Sequence, residues 1–454
     1  MDSQRRKQKQ ETIRRIAILD DWSEERELSH MEWEEIYALD HIINQLLSEE
    51  ELQWQRRGGE KWLLAGDSNS SYFHKCANGR RRKMHISMLE VNGQEVVEPG
   101  SLRDHITEYY KKLFGSEEVA DMHLDRDLWP SYQQIQQEEN EFLTRPFSLE
   151  ELDVVIKEMK NNTAPGPDVF SIEFFKAFWN MIRGDIKEML DRLYDGQLEL
   201  CRLNYGVIIL LPKVKPATSV KQFRPICLLK VIYKIVTKTL TIRLSIVVGR
   251  VVSNFQTAFI PGRNILEGVV ILQEVMHELK DTKTSGVIIK LDFEKAYDRV
   301  NWNFLEEVLH RKGFDMKWIQ WMNKVVRGGK VCIDLNGERG DYFRSFKGLR
   351  QGDPLSPLLF NLVADALSAM LSRACAAGMI KGLVPHLVEG GLTHLQYADD
   401  TILLLQFDLQ TLRNVRVILS CYEAMSGMKI NFEKSEIFSV GLSVVEMNVA
   451  AEML

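Results

Sequence analysis

Two adjacent carboxylates, Asp399 and Asp400, lie between two apolar stretches near the carboxyl end of the chain. Residues 395–398 and 401–405 predict a strand, a tight turn that carries both carboxylates, and a return strand. Like charges side by side repel each other, and a divalent cation such as Mg²⁺ would neutralise them while keeping coordination positions open for phosphate. For an isolated pair, a solvent-exposed Asp-Asp turn is the favoured interpretation. The rest of the chain must therefore supply the partners that decide between these interpretations.

A third carboxylate, Asp292, directly follows the apolar run 287–291, which predicts a buried strand. A side chain at the end of a strand is held rigidly, and this suits a metal ligand. The following residues predict a turn and then a helix. Asp298 is more typical of a helix start or a salt bridge than of a metal ligand. Tyr297 could form the floor of a nucleotide pocket or pack in the core.

Cations that could bind a triphosphate lie beside two other predicted strands. Lys213 follows the short apolar run 207–211, and Arg224 comes at hairpin distance after it. Arginine offers a planar fork of donors to phosphate, and lysine offers a point charge. A polar loop at 347–357 opens an apolar helix, and its glycines would permit close approach of the backbone to a ligand. The Ser-Pro pair in that loop is also simply a good helix start.

Composition describes a soluble globular chain. Its 454 residues, 45% hydrophobic and 27% charged, are enough for a large core and more than one domain. No apolar run approaches the roughly 18–20 residues of a membrane span, and no secretory signal opens the chain. The six cysteines are spread singly, which favours a reduced, intracellular protein. The net charge of -6 excludes a uniformly basic surface but allows a local basic groove.

The amino-terminal part has a different character. Residues 1–57 are charged with apolar residues at helical spacing, and they predict a helical arm. Residues 58–145 form an extension with a basic and aromatic block, followed from residue 116 by an acidic, glutamine-rich linker. Four consecutive cations in that block could contact a nucleic-acid backbone, although an exposed basic loop is an equally good interpretation. These cations are Arg80, Arg81, Arg82 and Lys83.

Taken in order, the blocks resemble the fingers and palm of the reverse transcriptase of a non-LTR (LINE-type) retrotransposon, in its plant-like branch. Lys-Leu-Asp-Phe-Glu-Lys-Ala-Tyr-Asp at 290–298 is similar to the first catalytic block, and Tyr-Ala-Asp-Asp at 397–400 is similar to the metal box. Any block alone is weak, but the ordered set is specific. Other matching blocks lie at 62–74, 164–170, 211–213, 223–229, 348–357 and 427–434.

The resemblance implies an α+β fold of the right-hand polymerase type, with an antiparallel palm sheet backed by helices. It assigns residues 146–285 to the fingers and upper palm and residues 286–440 to the catalytic palm. Residues 441–454 would begin the following region. The endonuclease, the thumb and the other carboxyl-terminal parts of such elements are expected to be missing from this chain, which would then be a truncated copy.

The resemblance also implies an activity, RNA-directed DNA polymerisation by a two-metal mechanism. Asp292, Asp399 and Asp400 would hold two Mg²⁺ ions, with Mn²⁺ as a possible substitute. The partners would be an RNA template, a DNA primer and dNTPs, without a membrane, and the protein would be nuclear. The remaining roles are the triphosphate clamp (Lys213 and Arg224), the border of the incoming base and template (Gln351 and Gly352), the sugar gate (Tyr297) and a proton donor to pyrophosphate (Lys434).

Three positions depart from the family pattern. Cys227, Val169 and Thr163 stand where the family usually has Ser, Gly and Lys, and Val169 is expected to strain a loop suited to glycine.

Two other functions stay open. One alternative function is a catalytically silent nucleic-acid-binding remnant. The other is an RNA-dependent RNA polymerase, against which the bulky Tyr297 argues.

Overall fold

The computed structural model describes residues 2–58, 79, 84–116 and 122–453. The chain forms two compact units, Met1–Ile86 and Ser87–Leu454. In the first unit, helices α1 (Asp2–Glu25) and α2 (His30–Gly58) pack against each other. Arg15 of α1 donates to both carboxylate oxygens of Glu35 of α2, at 2.7 and 2.9 Å. The predicted helical arm is therefore helical, while the four cations at 80–83 lie outside the described residues.

The second unit mixes helices and strands throughout, so the α+β class is confirmed at this level. Its strands are β1 (Leu89–Val91), β2 (Gln94–Val96), β3 (Tyr205–Pro212), β4 (Phe223–Leu229), β5 (Gly286–Leu291), β6 (Lys330–Leu335), β7 (Glu338–Arg339), β8 (Phe343–Arg344), β9 (His394–Tyr397), β10 (Asp400–Leu405) and β11 (Glu436–Val440). Its helices are α3 (Pro99–Leu113), α4 (Gln137–Thr144), α5 (Leu149–Glu158), α6 (Ile172–Ala177), α7 (Trp179–Tyr194), α8 (Val231–Val251), α9 (Ile265–Asp281), α10 (Ala296–Arg299), α11 (Trp302–Arg311), α12 (Met316–Val326), α13 (Ser356–Ala376), α14 (Leu409–Ser426) and α15 (Val444–Met453).

A four-stranded antiparallel sheet has the strand order β11-β5-β10-β9. The central strand β5 pairs Leu291 with Thr401 of β10 and Lys290 with Glu436 of β11. Residues 286–289 of β5 and 403–405 of β10 are buried, as expected for inner strands whose two faces are covered. This sheet brings together strands that are separated by more than a hundred residues in the chain.

A second sheet has the order β4-β3-β6-β7, with β8 also pairing with β6. Strands β3 and β4 are antiparallel, as the hairpin spacing predicts, and β3 pairs with β6 in parallel. A parallel neighbour must come from a distant part of the chain because the return crossover is long. The sequence motifs predicted the β3–β4 hairpin but did not predict that β6 pairs with β3.

Helix α13 lies in the core and packs against α8, α11 and α14. By length and composition alone this helix could span a membrane, so the expectation that no apolar run approaches the length of a membrane span is wrong for α13. The structure buries 78% of the most apolar stretch of α13, as in the core helix of a soluble protein. Its Asp365 carboxylate accepts hydrogen bonds from Lys312 Nζ at 2.6 Å and from Trp129 Nε1 at 2.8 Å. The pair Lys312–Asp365 is almost completely buried.

The interpretation of residues 116–145 as a linker is wrong for the part that the structure describes. Trp129 is only 2% exposed and Leu143 is fully buried. Helix α4 lies within this segment and packs against α8 and α12. Its acidic and glutamine-rich surface concealed a few large apolar anchors, because composition averages over a segment whereas burial is decided residue by residue.

Candidate active site

The hairpin β9–β10 carries two of the expected carboxylates. Tyr397 pairs with Asp400, so the chain turns through Ala398 and Asp399. Ala398 has a φ of 55°, the sign that tight two-residue hairpin turns require at their first central position. The predicted strand, turn and strand are confirmed, with one difference: Asp400 is the first residue of β10 and not part of the turn.

Asp292 directly follows β5, as the apolar run predicts. The register pairs Leu291 with Thr401, so the next position along brings Asp292 opposite Asp400. Two backbone hydrogen bonds fix Asp292: its N–H donates to Ser435 Oγ at 3.2 Å, and its carbonyl accepts from Asn431 N–H at 2.7 Å. Three carboxylates thus stand at one end of the four-stranded sheet.

The electrostatics of the site follow from this proximity. Burial raises the pKa of Asp399, and the negative charges of Asp400 and Asp292 raise it further, while Lys213 opposes this shift. Asp399 is half-buried and Asp400 is exposed. A cation would reverse the mutual repulsion of these carboxylates. Among the residues that the structure describes, no three His, Cys, Asp or Glu side chains form a ready-made metal cluster.

The loop that carries Gln351 and Gly352 is tied to the other blocks through its backbone. Cys227 N–H of β4 donates to the Gln351 carbonyl at 2.8 Å. Gly352 has a φ of 117°, and a Cβ there would stand 2.6 Å from the Cys227 carbonyl oxygen. Only glycine tolerates both conditions. Because the contact of Cys227 is made by its backbone, it does not depend on the Ser that the family usually has.

Tyr297 lies between this loop and the carboxylates. Its ring stacks on Phe360 of α13, with centroids 4.3 Å apart and planes 7° from parallel. Its carbonyl accepts a hydrogen bond from Leu349 N–H at 2.6 Å. Burial raises the pKa of Tyr297, and the negative charge of Asp399 raises it further.

The expected phosphate-binding cations lie on the second sheet. Lys213 N–H donates to the Gln222 carbonyl at 2.8 Å, continuing the β3–β4 ladder in which Leu211 faces Arg224. Residues two apart share a face, so Lys213 and Arg224 lie on one face of this hairpin. Both side chains are exposed.

Lys434 is exposed in the turn before β11. Its N–H donates at 3.1 Å to the carbonyl of Asn431, the residue that also anchors Asp292. The structure therefore brings Lys434 to the carboxylate end of the sheet, as the order of the motifs suggests.

Sequence reasoning missed Lys295. This residue adopts a left-handed conformation with a φ of 51°, and its Nζ donates to the Phe223 carbonyl at 2.6 Å. Burial lowers the pKa of Lys295 to about 8, and Asp298 opposes the shift while Lys213 and Lys434 add to it. A lysine within a charged turn gives no periodic signal that distinguishes it from a surface lysine.

The structure also answers two further expectations, one about the start of α13 and one about the backbone of Val169. Helix α13 begins at Ser356, as the Ser-Pro pair predicts, and the Asp353 carboxylate accepts hydrogen bonds from both the N–H and the hydroxyl of Ser356, at 3.1 and 3.0 Å. Val169 has a φ of 66°, so the expected strain at the glycine position of the family is confirmed.

A family profile described as "Reverse transcriptase (RNA-dependent DNA polymerase)" matches residues 211–449, which contain the blocks from residue 211 onward but not those at 62–74 and 164–170. The chain belongs to this family. The "Transposon TX1 uncharacterized 149 kDa protein" of Xenopus laevis is 29% identical over 372 residues, covering 81% of this chain and 28% of that protein. The "Retrovirus-related Pol polyprotein from type-1 retrotransposable element R2" of Nasonia vitripennis is 30% identical over 286 residues, covering 62% of this chain and 26% of that protein.

A third relative is the "Probable RNA-directed DNA polymerase from transposon X-element" of Drosophila melanogaster, which is 24% identical over 220 residues, 48% of this chain and 24% of that protein. The chain spans about a quarter of the length of these curated relatives. Their names confirm the resemblance to non-LTR retrotransposons, while the plant-like branch stays a prediction.

Reverse transcriptases generally use divalent metal ions. The donor set here fits such ions, because it consists of hard carboxylate oxygens that repel one another without a counter-charge. An open arrangement also suits Mg²⁺, which keeps several waters and binds phosphates together with one or two carboxylates.

Proposed function

We propose that this chain is an RNA-directed DNA polymerase domain that extends a DNA primer with dNTPs along an RNA template. The register of β5 and β10, which sets Asp292 opposite Asp400 beside the turn that holds Asp399, is the observation that carries the proposal. In this proposal the four-stranded sheet is the palm of a right-hand polymerase and the β3–β4 hairpin belongs to the fingers. The protein would act in the nucleus.

Asp292, Asp399 and Asp400 would hold Mg²⁺. Two bound ions in such a site assist the attacking hydroxyl and neutralise charge on the leaving phosphates. The chain contributes rigidity, since Asp292 directly follows the central strand β5 and is anchored by Ser435 and Asn431. Orientation of this kind accounts for a large part of catalysis in phosphoryl transfer.

The surrounding residues would bind and select the nucleotide. Lys213 and Arg224 would hold the triphosphate from one face of the hairpin, and Gln351 and Gly352 would line the base and template. Tyr297, stacked on Phe360, cannot swing away easily and would exclude a ribose 2′-hydroxyl. Lys434 would protonate the pyrophosphate.

Boundaries within the chain remain part of the proposal. Residues 1–57 would be a helical arm and 58–145 an extension whose cations at 80–83 contact nucleic acid. Residues 146–285 would form the fingers and upper palm, residues 286–440 the catalytic palm, and residues 441–454 the start of the next region.

Primer extension on an RNA template with Mg²⁺ and dNTPs tests the function. We expect extension by the wild type, loss of extension in Asp399→Ala/Asp400→Ala, and full activity in Asp341→Ala, an exposed acid outside the site. No extension by a folded wild type that still binds template would favour a silent nucleic-acid-binding protein instead.

The sugar gate separates this function from RNA polymerisation. Tyr297→Ala is expected to gain ribonucleotide incorporation while the wild type discriminates against it. Unchanged sugar selectivity would refute the role of Tyr297, and preference of the wild type for ribonucleotides would refute the reverse transcriptase assignment.

A further inference from the structure

Gln256, in the loop between α8 and α9, is a fully buried glutamine whose side chain reaches the catalytic hairpin. Its Oε1 accepts from Ala398 N–H at 2.8 Å and from Ala258 N–H at 3.1 Å. Its Nε2 donates to the Ala398 carbonyl at 3.3 Å. One side chain thus pairs with both backbone polar groups of the residue immediately before Asp399.

The turn has a physical need for such a partner. Ala398 has a φ of 55°, a conformation that glycine adopts freely and that alanine adopts at a cost. Ala398 is also only 7% exposed, so water has little access to its N–H and carbonyl. Unpaired buried backbone groups are unfavourable, and pairing them with Gln256 favours this one orientation of the peptide. That orientation sets the direction in which the chain enters Asp399.

Gln256 is itself held on several sides. Gln396 N–H donates to the Phe255 carbonyl at 2.8 Å, and Thr257 N–H donates to the Gln396 carbonyl at 3.1 Å. This pairing fixes the loop against β9, the strand that leads into the turn. Because the residues on both sides of Gln256 are hydrogen-bonded to β9, its side chain can hold the hairpin turn in a fixed position.

Arg263 and α13 fix the rest of the loop. The Arg263 guanidinium donates to the carbonyls of Gln256 at 2.7 Å and Val252 at 2.9 Å. Ser253 N–H donates at 2.8 Å to the Asp365 carboxylate, which is the buried partner of Lys312. Arg263 thus braces the loop internally, and the bond from Ser253 to Asp365 connects the loop to the core of the second unit. Both involve a charged group, and such hydrogen bonds are stronger than neutral ones.

We propose that Gln256 is a positioning residue for nucleotidyl transfer: it holds the Ala398 peptide in its left-handed conformation and thereby directs Asp399 and Asp400 toward Asp292. This inference rests on the proposed polymerase function. Gln256 touches neither substrate nor the reacting atoms, and it acts through the backbone of the turn.

The first test compares two glutamines of the same region. Gln256→Met removes the contacts to Ala398 at similar side-chain volume. The matched control is Gln396→Met, because Gln396 is also buried, at 3% exposure, but its Nε2 donates to the Ala364 carbonyl of α13 at 3.3 Å. We expect kcat for primer extension to fall roughly 10- to 100-fold in Gln256→Met, with KM for dNTP changed less than about twofold, because misplacement of catalytic groups lowers rate more than binding. The control should stay within about threefold of wild type.

A double-mutant cycle distinguishes positioning from a general loss of stability. Glycine tolerates the conformation of the turn without help, so Ala398→Gly should make Gln256 less necessary. We expect the kcat penalty of Gln256→Met to be at least about threefold smaller in the Ala398→Gly background. Equal penalties in both backgrounds would contradict the proposal.

Hydrogen exchange of peptides that cover residues 393–405, followed by mass spectrometry, gives a readout that does not depend on catalysis. The turn should exchange faster in Gln256→Met than in Gln396→Met. If the wild type extends no primer, the polymerase function is refuted, and the exchange comparison alone then decides the positioning role. Equal exchange in the two variants, or extension by Gln256→Met at the rate of the control, overturns it.

Discussion

Replacement of Val169 by glycine is expected to stabilise the protein. Val169 has a φ of 66° in the loop after Gly166, and its side chain is 71% exposed. The left-handed region is unfavourable for an L-residue and worst for a β-branched one. Glycine removes this strain and sacrifices few contacts, so the substitution acts on the backbone almost alone.

The magnitude follows from three opposing contributions. Left-handed backbone costs a non-glycine residue about 1–3 kcal/mol. Glycine loses about 0.5–1 kcal/mol more conformational freedom than other residues on folding. The buried part of the valine side chain contributes roughly 0.5 kcal/mol, about a third of full burial. The central values of these ranges leave a stabilisation of about 0.5–1 kcal/mol, which corresponds to a rise in Tm of about 1 °C in a unit of this size.

Differential scanning calorimetry or fluorescence-detected melting can measure this shift. The matched control is Val97→Gly, since Val97 is also exposed, at 61%, and is absent from the positive-φ positions. That substitution relieves no strain and should lower Tm, so the two variants move in opposite directions. A Val169→Gly protein that melts at or below the wild type would refute the strain argument.

Three further predictions concern the site and the core. Gly352→Ala should abolish primer extension, because both the φ of Gly352 and the nearby carbonyl oxygen exclude a Cβ. The control Gly337→Ala, at a φ of 97° but in open space, should keep activity, and equal activity of the two variants would contradict this prediction. Lys312→Met should destabilise the protein by roughly 3–5 kcal/mol in chemical denaturation, since it leaves the buried Asp365 without its cation; a loss below about 1 kcal/mol would contradict it. Burial raises the pKa of Asp298 to about 7, so the folded protein keeps a proton that the unfolded chain releases near pH 4, and stability falls as pH rises from about 4 to 7. Asp298→Asn should therefore gain more in Tm relative to wild type at pH 8 than at pH 5, and an equal gain at both would refute the shift.

Local patterns predicted the elements that carry the chemistry. The apolar run before Asp292 and the hairpin around Asp399 could be recognised because a buried strand is indicated by a run of consecutive apolar residues. Helix α14 ends at Ser426, directly before Gly427, which adopts a left-handed conformation, and a glycine just past the last turn is a local signal for a helix end. In each case the signal lies within a few residues of the structure that it specifies.

What the sequence did not reveal depends on contacts between distant residues. Gln256 lies some 140 residues before the turn that it contacts, and no spacing rule links a loop glutamine to a backbone amide. The parallel pairing of β3 with β6 and the burial of Trp129 have the same origin. Lys295 was missed because burial, not residue type, distinguishes it from surface lysines.

The central position of β5 has a consequence for synthesis of the chain. On the ribosome, β5 emerges more than a hundred residues before β10 and still earlier than β11, so its apolar edges lack partners for many seconds at ordinary elongation rates. Any copy of the gene with a stop codon between Leu405 and Glu436 would lack β11 permanently and would leave the edge of β5 at Gly286–Lys290 open to other chains. Unprotected strands of this type are templates for aggregation. Premature termination at this point should therefore yield an insoluble product, even though all three carboxylates have already been translated.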